Sequence, residues 1–203
     1  EGPVLTVLPG SRTGEVTRLA PVFGVALGQL VDLMPRVVVP VAGSVEAVVA
    51  EAVADWPVSI TLLKRDVGEA ASDFEERKRL AFAASDAALA ASGTVALELA
   101  HAGAPMVVAY RMAPLTMAIL RRMVRIGRYS LPNIIAGRDV VPELIQQDCT
   151  PGRIAAALRP LLSGGPEADG QRDAFDEIMR TLGRGGPSPA ERAAESLLSV
   201  LRR

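Results

Sequence analysis

Two short loops of small and hydroxylated residues carry the first candidates for chemistry in this sequence. The first, PGSRTGE from Pro9 to Glu15, follows an apolar run over Val4–Leu8. Small residues let the backbone approach an anion closely, and the helix expected next offers free N–H groups and the positive end of its dipole. Arg12 adds a forked donor suited to phosphate, with Ser11 beside it. A plain strand-to-helix turn with an exposed arginine fits equally well, and the dinucleotide pattern GxGxxG is absent.

The second loop, Ser92-Gly93-Thr94, opens the segment SGTVALE, which ends at Glu98. It again places small and hydroxylated residues before a helix, which makes it a second candidate phosphate cradle. Glu98 lies about one helical turn beyond Thr94, where its carboxylate could accept hydrogen bonds from both hydroxyls of a ribose. Taken alone, such a segment is more often a capped helix with an early glutamate. Two such loops after different strands of one sheet favour a nucleoside diphosphate as the ligand.

A third polar segment, YSLPNIIAGRDVVPELIQ, covers residues 129–146. Asn133 can donate and accept hydrogen bonds to a ligand, and Arg138 can reach a phosphate. Glu143 and Gln146 lie three residues apart, on one face of the helix expected there. The alternative is a buried loop in which Asn133 satisfies backbone groups. A ligand role predicts that Asn133→Ala lowers activity more than it lowers stability.

The order of the predicted elements places these loops on one edge of a sheet. Short apolar runs alternate with helical patterns, which predicts an α/β fold with a Rossmann-like, doubly wound parallel sheet and helices on both faces. Such sheets bind ligands at the carboxyl ends of their strands. The predicted strands are Val4–Leu8, Arg36–Val41, Val58–Leu63, Ala87–Ala91 and Met106–Tyr110, and the predicted helices are Glu15–Met34, Val45–Ala54, Phe74–Ala84, Val95–Ala102 and Leu115–Ile126.

The pattern changes after Arg128. An irregular loop is expected from Leu131 to Arg138, and a polar, glycine-rich break at Ser163–Gly170. We therefore predict a Rossmann-like domain over residues 1–165 and a C-terminal helical tail over residues 166–203. The tail's apolar faces would pack on its own sheet or on a second copy, so a homodimer through the tail is a candidate. The helices expected after residue 140 are Val141–Gln147, Pro151–Leu162, Gln171–Leu182 and Pro189–Leu201.

The helix expected at Leu115–Ile126 carries a basic stripe. On a helical wheel Arg121, Arg122 and Arg125 share an arc of about 100°, and apolar residues, Leu115 among them, fill most of the rest. A wide apolar face beside a compact arginine stripe suits a bilayer interface with anionic lipids. A helix packed on the sheet with a solvated arginine face fits the same pattern.

Composition limits the other possibilities. The formal net charge is −1, which gives no general argument for nucleic acid as a partner. Cys149 is the only cysteine, so an internal disulfide and a site of several cysteines are excluded, and no metal is expected. The single histidine, His101, is more simply structural than catalytic. With no signal-peptide pattern and no apolar run of about 18 residues, a cytoplasmic protein with only peripheral membrane contact is expected.

Four motifs, taken in order, resemble the lipid-A-disaccharide synthase family. They extend over nearly the whole chain, and the last is long and specific, which argues against chance. The motifs are Leu8–Arg12 (LPGSR), Ala91–Glu98 (ASGT..LE), Tyr110–Thr116 (YR..P.T) and Ser130–Gln146 (SLPN..AGR..VPEL.Q).

The resemblance implies one half of a GT-B glycosyltransferase, a fold with two Rossmann-like domains facing across a cleft. The family moves a diacylated glucosamine from its UDP carrier to a diacylglucosamine 1-phosphate acceptor, forming lipid A disaccharide 1-phosphate for the lipopolysaccharide of Gram-negative bacteria. The UDP-sugar is a substrate, so no cofactor is implied. Such an enzyme would sit on the cytoplasmic face of the inner membrane, with acyl-chain or membrane contact at Leu115, Arg121, Arg122 and Arg125. Matching the motifs implies a donor site of Ser11, Arg12, Ser92, Gly93, Thr94, Glu98, Tyr110, Asn133 and Arg138.

The sequence departs from the family by lacking its N-terminal half. That half is expected to carry the general base and much of the acceptor site, so no catalytic residue is assigned here. This chain alone is therefore expected to be inactive. Two other interpretations are left open: the UDP-sugar-binding domain of another GT-B-type enzyme, and a non-catalytic nucleotide-binding module.

Overall fold

The computed structural model describes residues 2–41, 43–112, 127–186, 191, 194–195 and 197–198. Within them the chain forms a six-stranded parallel sheet with the strand order β3-β2-β1-β4-β5-β6. In this Rossmann-like order the winding direction reverses between β1 and β4. The strands are Val4–Leu8 (β1), Arg36–Pro40 (β2), Ile60–Leu63 (β3), Ala87–Ala90 (β4), Met106–Tyr110 (β5) and Glu143–Ile145 (β6).

Helices cover both faces of this sheet. The first begins after Arg12, whose extended backbone places its carbonyl to accept the N–H of Glu15 at 2.9 Å and that of Val16 at 3.1 Å. It continues through Pro21, which lies inside the helix. In the described residues the α-helices are Thr13–Gly28 (α1), Glu46–Val53 (α2), Ala71–Ala83 (α3), Val95–His101 (α4), Leu131–Ala136 (α5), Pro151–Leu162 (α6) and Pro166–Thr181 (α7).

The doubly wound sheet is confirmed by how its strands divide between two cores. Ala87 and Leu89 of β4 lie in one apolar cluster, and Ala88 and Ala90 lie in the other, as the two-residue period of a strand requires. Helices α1, α2 and α6 fill the first cluster, while α3, α4, α5 and α7 contribute to the second. The central strands read as unbroken apolar runs because both of their faces are buried.

Two predictions after residue 130 are wrong. The expected irregular loop from Leu131 is helix α5, in which a proline near the first position is tolerated because its missing N–H has no partner there anyway. Gly137, at φ 65°, ends this helix in the left-handed conformation that suits glycine. The expected helix at Val141–Gln147 is instead β6, an edge strand parallel to β5, followed by a 3₁₀ turn.

The third correction concerns the polar break expected at Ser163–Gly170. Helix α7 begins at Pro166, within that segment. Phe175, Ile178 and Met179 of α7 lie in the second core cluster. Gln171 binds the N–H of Met106 at 2.7 Å and its carbonyl at 3.1 Å, which ties α7 to β5.

The predicted division into residues 1–165 and a tail from residue 166 stays a prediction, and so does a dimer through the tail. The predicted helix at Leu115–Ile126, with its arginine stripe, lies outside the described residues. So do most residues of the predicted helix at Pro189–Leu201.

Candidate functional site

A pocket of about 480 Å³ lies where the sheet reverses direction. Because Leu8 pairs with Ala90, the loops that follow β1 and β4 leave the same edge of the sheet side by side. We call this cavity the switch-point pocket, since ligands of open α/β sheets bind at such reversals. Six of the predicted site residues line it together, namely Ser11, Arg12, Ser92, Gly93, Thr94 and Glu98.

Glu15, which the sequence analysis did not single out as a site residue, organises the first loop. Its carboxylate is buried, with the residue 8% exposed. One oxygen accepts the N–H of Ser11 at 3.0 Å, and the other accepts Arg12 at 3.2 Å and the hydroxyl of Tyr110 at 3.1 Å. A buried carboxylate is costly unless several donors surround it, so these three bonds fix the shape of the loop.

Gly10 permits the close approach of this loop to Glu15. Its φ of +123° is strained for residues with a side chain. A Cβ at this position would lie 2.5 Å from the Cβ of Glu15 and 2.8 Å from its Oε2. Only glycine therefore fits between β1 and the first turn of α1.

Tyr110 stands behind the pocket and is absent from its lining. Burial raises the pKa of the Tyr110 phenol, and the negative charge of Glu15 raises it further. The hydroxyl therefore stays protonated at neutral pH and donates to Glu15. Here Tyr110 supports the loop that carries Arg12, and its predicted contact with a ligand stays a prediction.

The far side of the pocket is formed by charged residues of α3 and α4. The ammonium of Lys78 lies 2.6 Å from Glu75 and 3.0 Å from Glu98. Burial acts to lower the pKa of Lys78, but these two carboxylates outweigh it and the pKa is raised. Lys78 is therefore cationic at neutral pH, and it holds the carboxylate of Glu98 at the pocket wall.

Asn133 lies outside the switch-point pocket and is almost fully buried, at 1% exposed. Its Oδ1 accepts the N–H groups of Val140 at 2.7 Å and Val141 at 2.9 Å. Its Nδ2 donates to the carbonyl of Val141 and to Glu143, both at 2.9 Å. Asn133 thus satisfies backbone groups, which is the alternative that the sequence left open, while its contact with a donor stays a prediction.

Glu143 anchors the same segment from β6. Its carboxylate accepts the N–H groups of Tyr129 at 2.9 Å and Ser130 at 2.7 Å, and the Ser130 hydroxyl at 2.6 Å. These bonds place a negative charge at the start of α5, where the helix dipole favours it. Since Glu143 lies in a strand, it does not share a helix face with Gln146.

A second cavity of about 390 Å³, the 127–148 pocket, adjoins this segment. The Ser92 hydroxyl donates to the Tyr129 carbonyl at 3.3 Å, which links the walls of the two pockets. Asp139, Glu143 and Asp148 line the 127–148 pocket, and none of its described lining residues is Lys or Arg. The described lining of the 127–148 pocket is thus acidic, whereas that of the switch-point pocket includes Arg12 and Lys78.

Arg138 is placed away from both pockets. It forms an exposed ion pair with Glu177 of α7 at 2.7 Å and appears in the lining of neither cavity. Its predicted reach to a phosphate stays a prediction. The four membrane candidates Leu115, Arg121, Arg122 and Arg125 lie outside the described residues. In the part of the chain that is described, no group of three or more His, Cys, Asp or Glu side chains could hold a metal ion.

The bonds of Asn133 predict a structural effect for its removal. Asn133→Ala leaves two N–H groups and a carbonyl without this partner, which should lower the free energy of unfolding by about 3 kcal/mol. Arg138→Ala, in the same motif, should change it far less because its ion pair is exposed. Urea denaturation of both variants measures the difference. Equal stability of Asn133→Ala and the unmodified chain would return Asn133 to the ligand role expected from the sequence.

The geometry of Gly10 predicts a second effect on stability. Gly10→Ala should lower the free energy of unfolding by about 1–3 kcal/mol, the usual range for a strained backbone position. Gly93→Ala is the matched control, because a Cβ there meets nothing within 4 Å. The two variants are compared by thermal and urea denaturation. If Gly10→Ala is no less stable than Gly93→Ala, the close packing of the loop on Glu15 is wrong.

Comparison with known proteins identifies the family of this chain. The family described as lipid-A-disaccharide synthetase matches residues 1–196. The chain is 51% identical over 201 residues to a lipid-A-disaccharide synthase of Rhodospirillum centenum, covering 98% of this chain and 48% of that protein. It is 44% identical over 204 residues to one of Pseudomonas fluorescens, covering 99% and 49%. The chain therefore spans about half the length of these curated relatives.

Comparison with solved structures identifies the fold of this chain. A calicheamicin glycosyltransferase, CalG4, is similar with a TM-score of 0.57 and 18% identity over 100% of this chain and 43% of that one. An E. coli ADP-heptose heptosyltransferase II has a TM-score of 0.54 and 18% identity over 81% and 47%. The fold is thus that of one Rossmann-like half of a GT-B glycosyltransferase. With the match over residues 1–196 and these identities, the chain belongs to the lipid-A-disaccharide synthase family.

Proposed function

We propose that this chain is the donor-binding half of a lipid-A-disaccharide synthase and that its switch-point pocket holds the UDP portion of UDP-diacylglucosamine. One observation carries the proposal. The pocket unites two loops of the family's motifs, Gly10–Arg12 and Ser92–Thr94, at the carboxyl ends of neighbouring strands. Its two cations, Arg12 and Lys78, distinguish it from the acidic 127–148 pocket.

The diphosphate is proposed to lie between the two loops. The side chain of Arg12 is 81% exposed. One nitrogen of its guanidinium donates to Glu15, and the remaining N–H groups face solvent. The N–H groups of Thr13 and Gly14, the first two residues of α1, have no partner within the helix and lie at the positive end of its dipole. The Thr94 hydroxyl would supply a further donor from the opposite side, and the Ser92 hydroxyl, which donates to the Tyr129 carbonyl, would do so after leaving that bond. An anion placed here would meet hydrogen-bond donors from the loop after β1 and from the loop after β4.

The proposed reaction is a glycosyl transfer that these groups assist electrostatically. The bond between the anomeric carbon and the β-phosphate oxygen breaks, and a bond from that carbon to the acceptor hydroxyl oxygen forms. The hydroxyl proton passes to a general base, which we assign to the other half of the enzyme. Negative charge develops on the departing UDP, where Arg12 and the α1 N–H groups would stabilise it.

The proposed partners follow from the acylated substrates. The acceptor is a diacylglucosamine 1-phosphate, and the products are lipid A disaccharide 1-phosphate and UDP. The enzyme would work on the cytoplasmic face of the inner membrane of a Gram-negative bacterium, touching it through Leu115, Arg121, Arg122 and Arg125. In the described residues no helix is long and apolar enough to cross a membrane. A homodimer through the tail is part of the same proposal.

Calorimetric titration with UDP tests the proposed site. UDP should bind with and without added Mg²⁺, and Arg12→Ala should weaken binding by about 1.5–3 kcal/mol, the range for hydrogen bonds to charged groups. Arg172→Ala, an exposed arginine of α7 that pairs with Asp169, is a control of equal charge. Unchanged affinity in Arg12→Ala would exclude Arg12 as the phosphate ligand. Binding that requires Mg²⁺ would contradict the metal-free site.

A turnover assay separates an enzyme half from a non-catalytic module. The chain alone should bind UDP but form no disaccharide. The chain joined to the N-terminal half of a relative should bind UDP and form the disaccharide. Failure of the joined protein, when it is folded and binds UDP, would favour the non-catalytic alternative.

A further inference from the structure

Phe74 is the one phenylalanine that the cores do not use. The chain has four, and Phe23, Phe82 and Phe175 are each at most 1% exposed within a core cluster. Phe74 is half-buried, belongs to neither cluster and lines the switch-point pocket. An aromatic ring that lines a pocket instead of packing in a core offers a flat apolar surface to a ligand.

The wall of the switch-point pocket carries groups of three kinds: polar donors, a carboxylate and an aromatic ring. Arg12 and the hydroxyls of Ser92 and Thr94 stand at the sheet edge. Glu98 follows one turn of α4 beyond Thr94, about 5.4 Å further along the helix. Its carboxylate meets Lys78 at 3.0 Å, and Phe74 lies one turn of α3 from Lys78.

These three kinds of group match the three parts of a nucleoside diphosphate. Arg12 and the hydroxyls suit the diphosphate, and the carboxylate of Glu98 can accept hydrogen bonds from ribose hydroxyls. The remaining part of the ligand is the base, and the aromatic side chain in the described lining of the pocket is Phe74. Pro40 at the end of β2 and Val41 just after it add apolar surface to the same pocket.

We propose that Phe74 is the stacking platform for the nucleobase of the donor, with Lys78 positioning Glu98 for the ribose. This inference rests on the proposed function and names the part of the pocket that recognises the base. Bases stack on aromatic rings through their π faces, so Phe74 contributes affinity for the base while Arg12 contributes affinity for the phosphates.

The test compares two ligands that differ only in the base. UDP and ribose 5-diphosphate are titrated by calorimetry into the unmodified chain and into Phe74→Leu, which keeps an apolar side chain but removes the ring. Phe74→Leu should bind UDP about ten-fold more weakly and ribose 5-diphosphate as tightly as before. Phe74→Tyr should bind UDP like the unmodified chain, because its ring is retained.

Leu80→Ala is the control on α3, since Leu80 is exposed and does not line the pocket. Its affinities for both ligands should equal those of the unmodified chain. Unchanged UDP affinity in Phe74→Leu, or an equal loss for both ligands, overturns the stacking role while leaving the proposed function standing. If the unmodified chain binds neither ligand, the proposed function fails and this inference fails with it.

Discussion

The parallel pairing of β1 with β4 is the constraint on which the site depends. It sets Leu8 opposite Ala90, so the chain leaves both strands at one edge and at one level. In the sequence, 78 residues lie between the end of β1 at Leu8 and the start of β4 at Ala87, and only the sheet brings the loops after these strands together. The reversal of winding at this pair opens the cleft in which the switch-point pocket forms.

A second constraint is the burial of the Glu15 carboxylate beneath the first loop. Its donors come from Ser11, Arg12 and Tyr110, so the loop after β1 is tied to the end of β5. Gly10 makes room for this arrangement, and the raised pKa of Tyr110 keeps its donor in place. Arg12 is thereby pre-positioned at the pocket while most of its side chain remains exposed. Such preorganisation lets a site stabilise charge without rearranging first.

Much of the fold could be predicted because strands that are buried on both faces of a parallel sheet appear in the sequence as uninterrupted apolar segments. Val4–Leu8 and Met106–Tyr110 have the bounds expected of them, and α6 does too. The strand β6 was missed because it has only three residues, lies at the sheet edge, and is preceded by Pro142 in a segment with helical spacing. The start of α5 was missed because a Pro-Asn pair is typical of loops, whereas Pro132 here occupies an early helical position.

The candidate site was predictable where its residues follow strands in short motifs, as Arg12 and Thr94 do. Glu15 and Tyr110 were harder, because their hydrogen bond joins residues 95 positions apart. A glutamate in a first helical turn suggests only a favourable dipole contact, and nothing local shows that it is buried. Phe74 was predicted only as part of a helix, since its position outside both cores is visible only once they are packed.

The nucleotide is proposed to occupy the switch-point pocket. The test is to follow the backbone amide resonances of the isotopically labelled chain by NMR during a titration with UDP. We expect the largest saturable shifts on the amides of Gly10–Glu15 and Ser92–Val95. Saturable shifts confined to residues 127–148, where the acidic pocket lies, would contradict it.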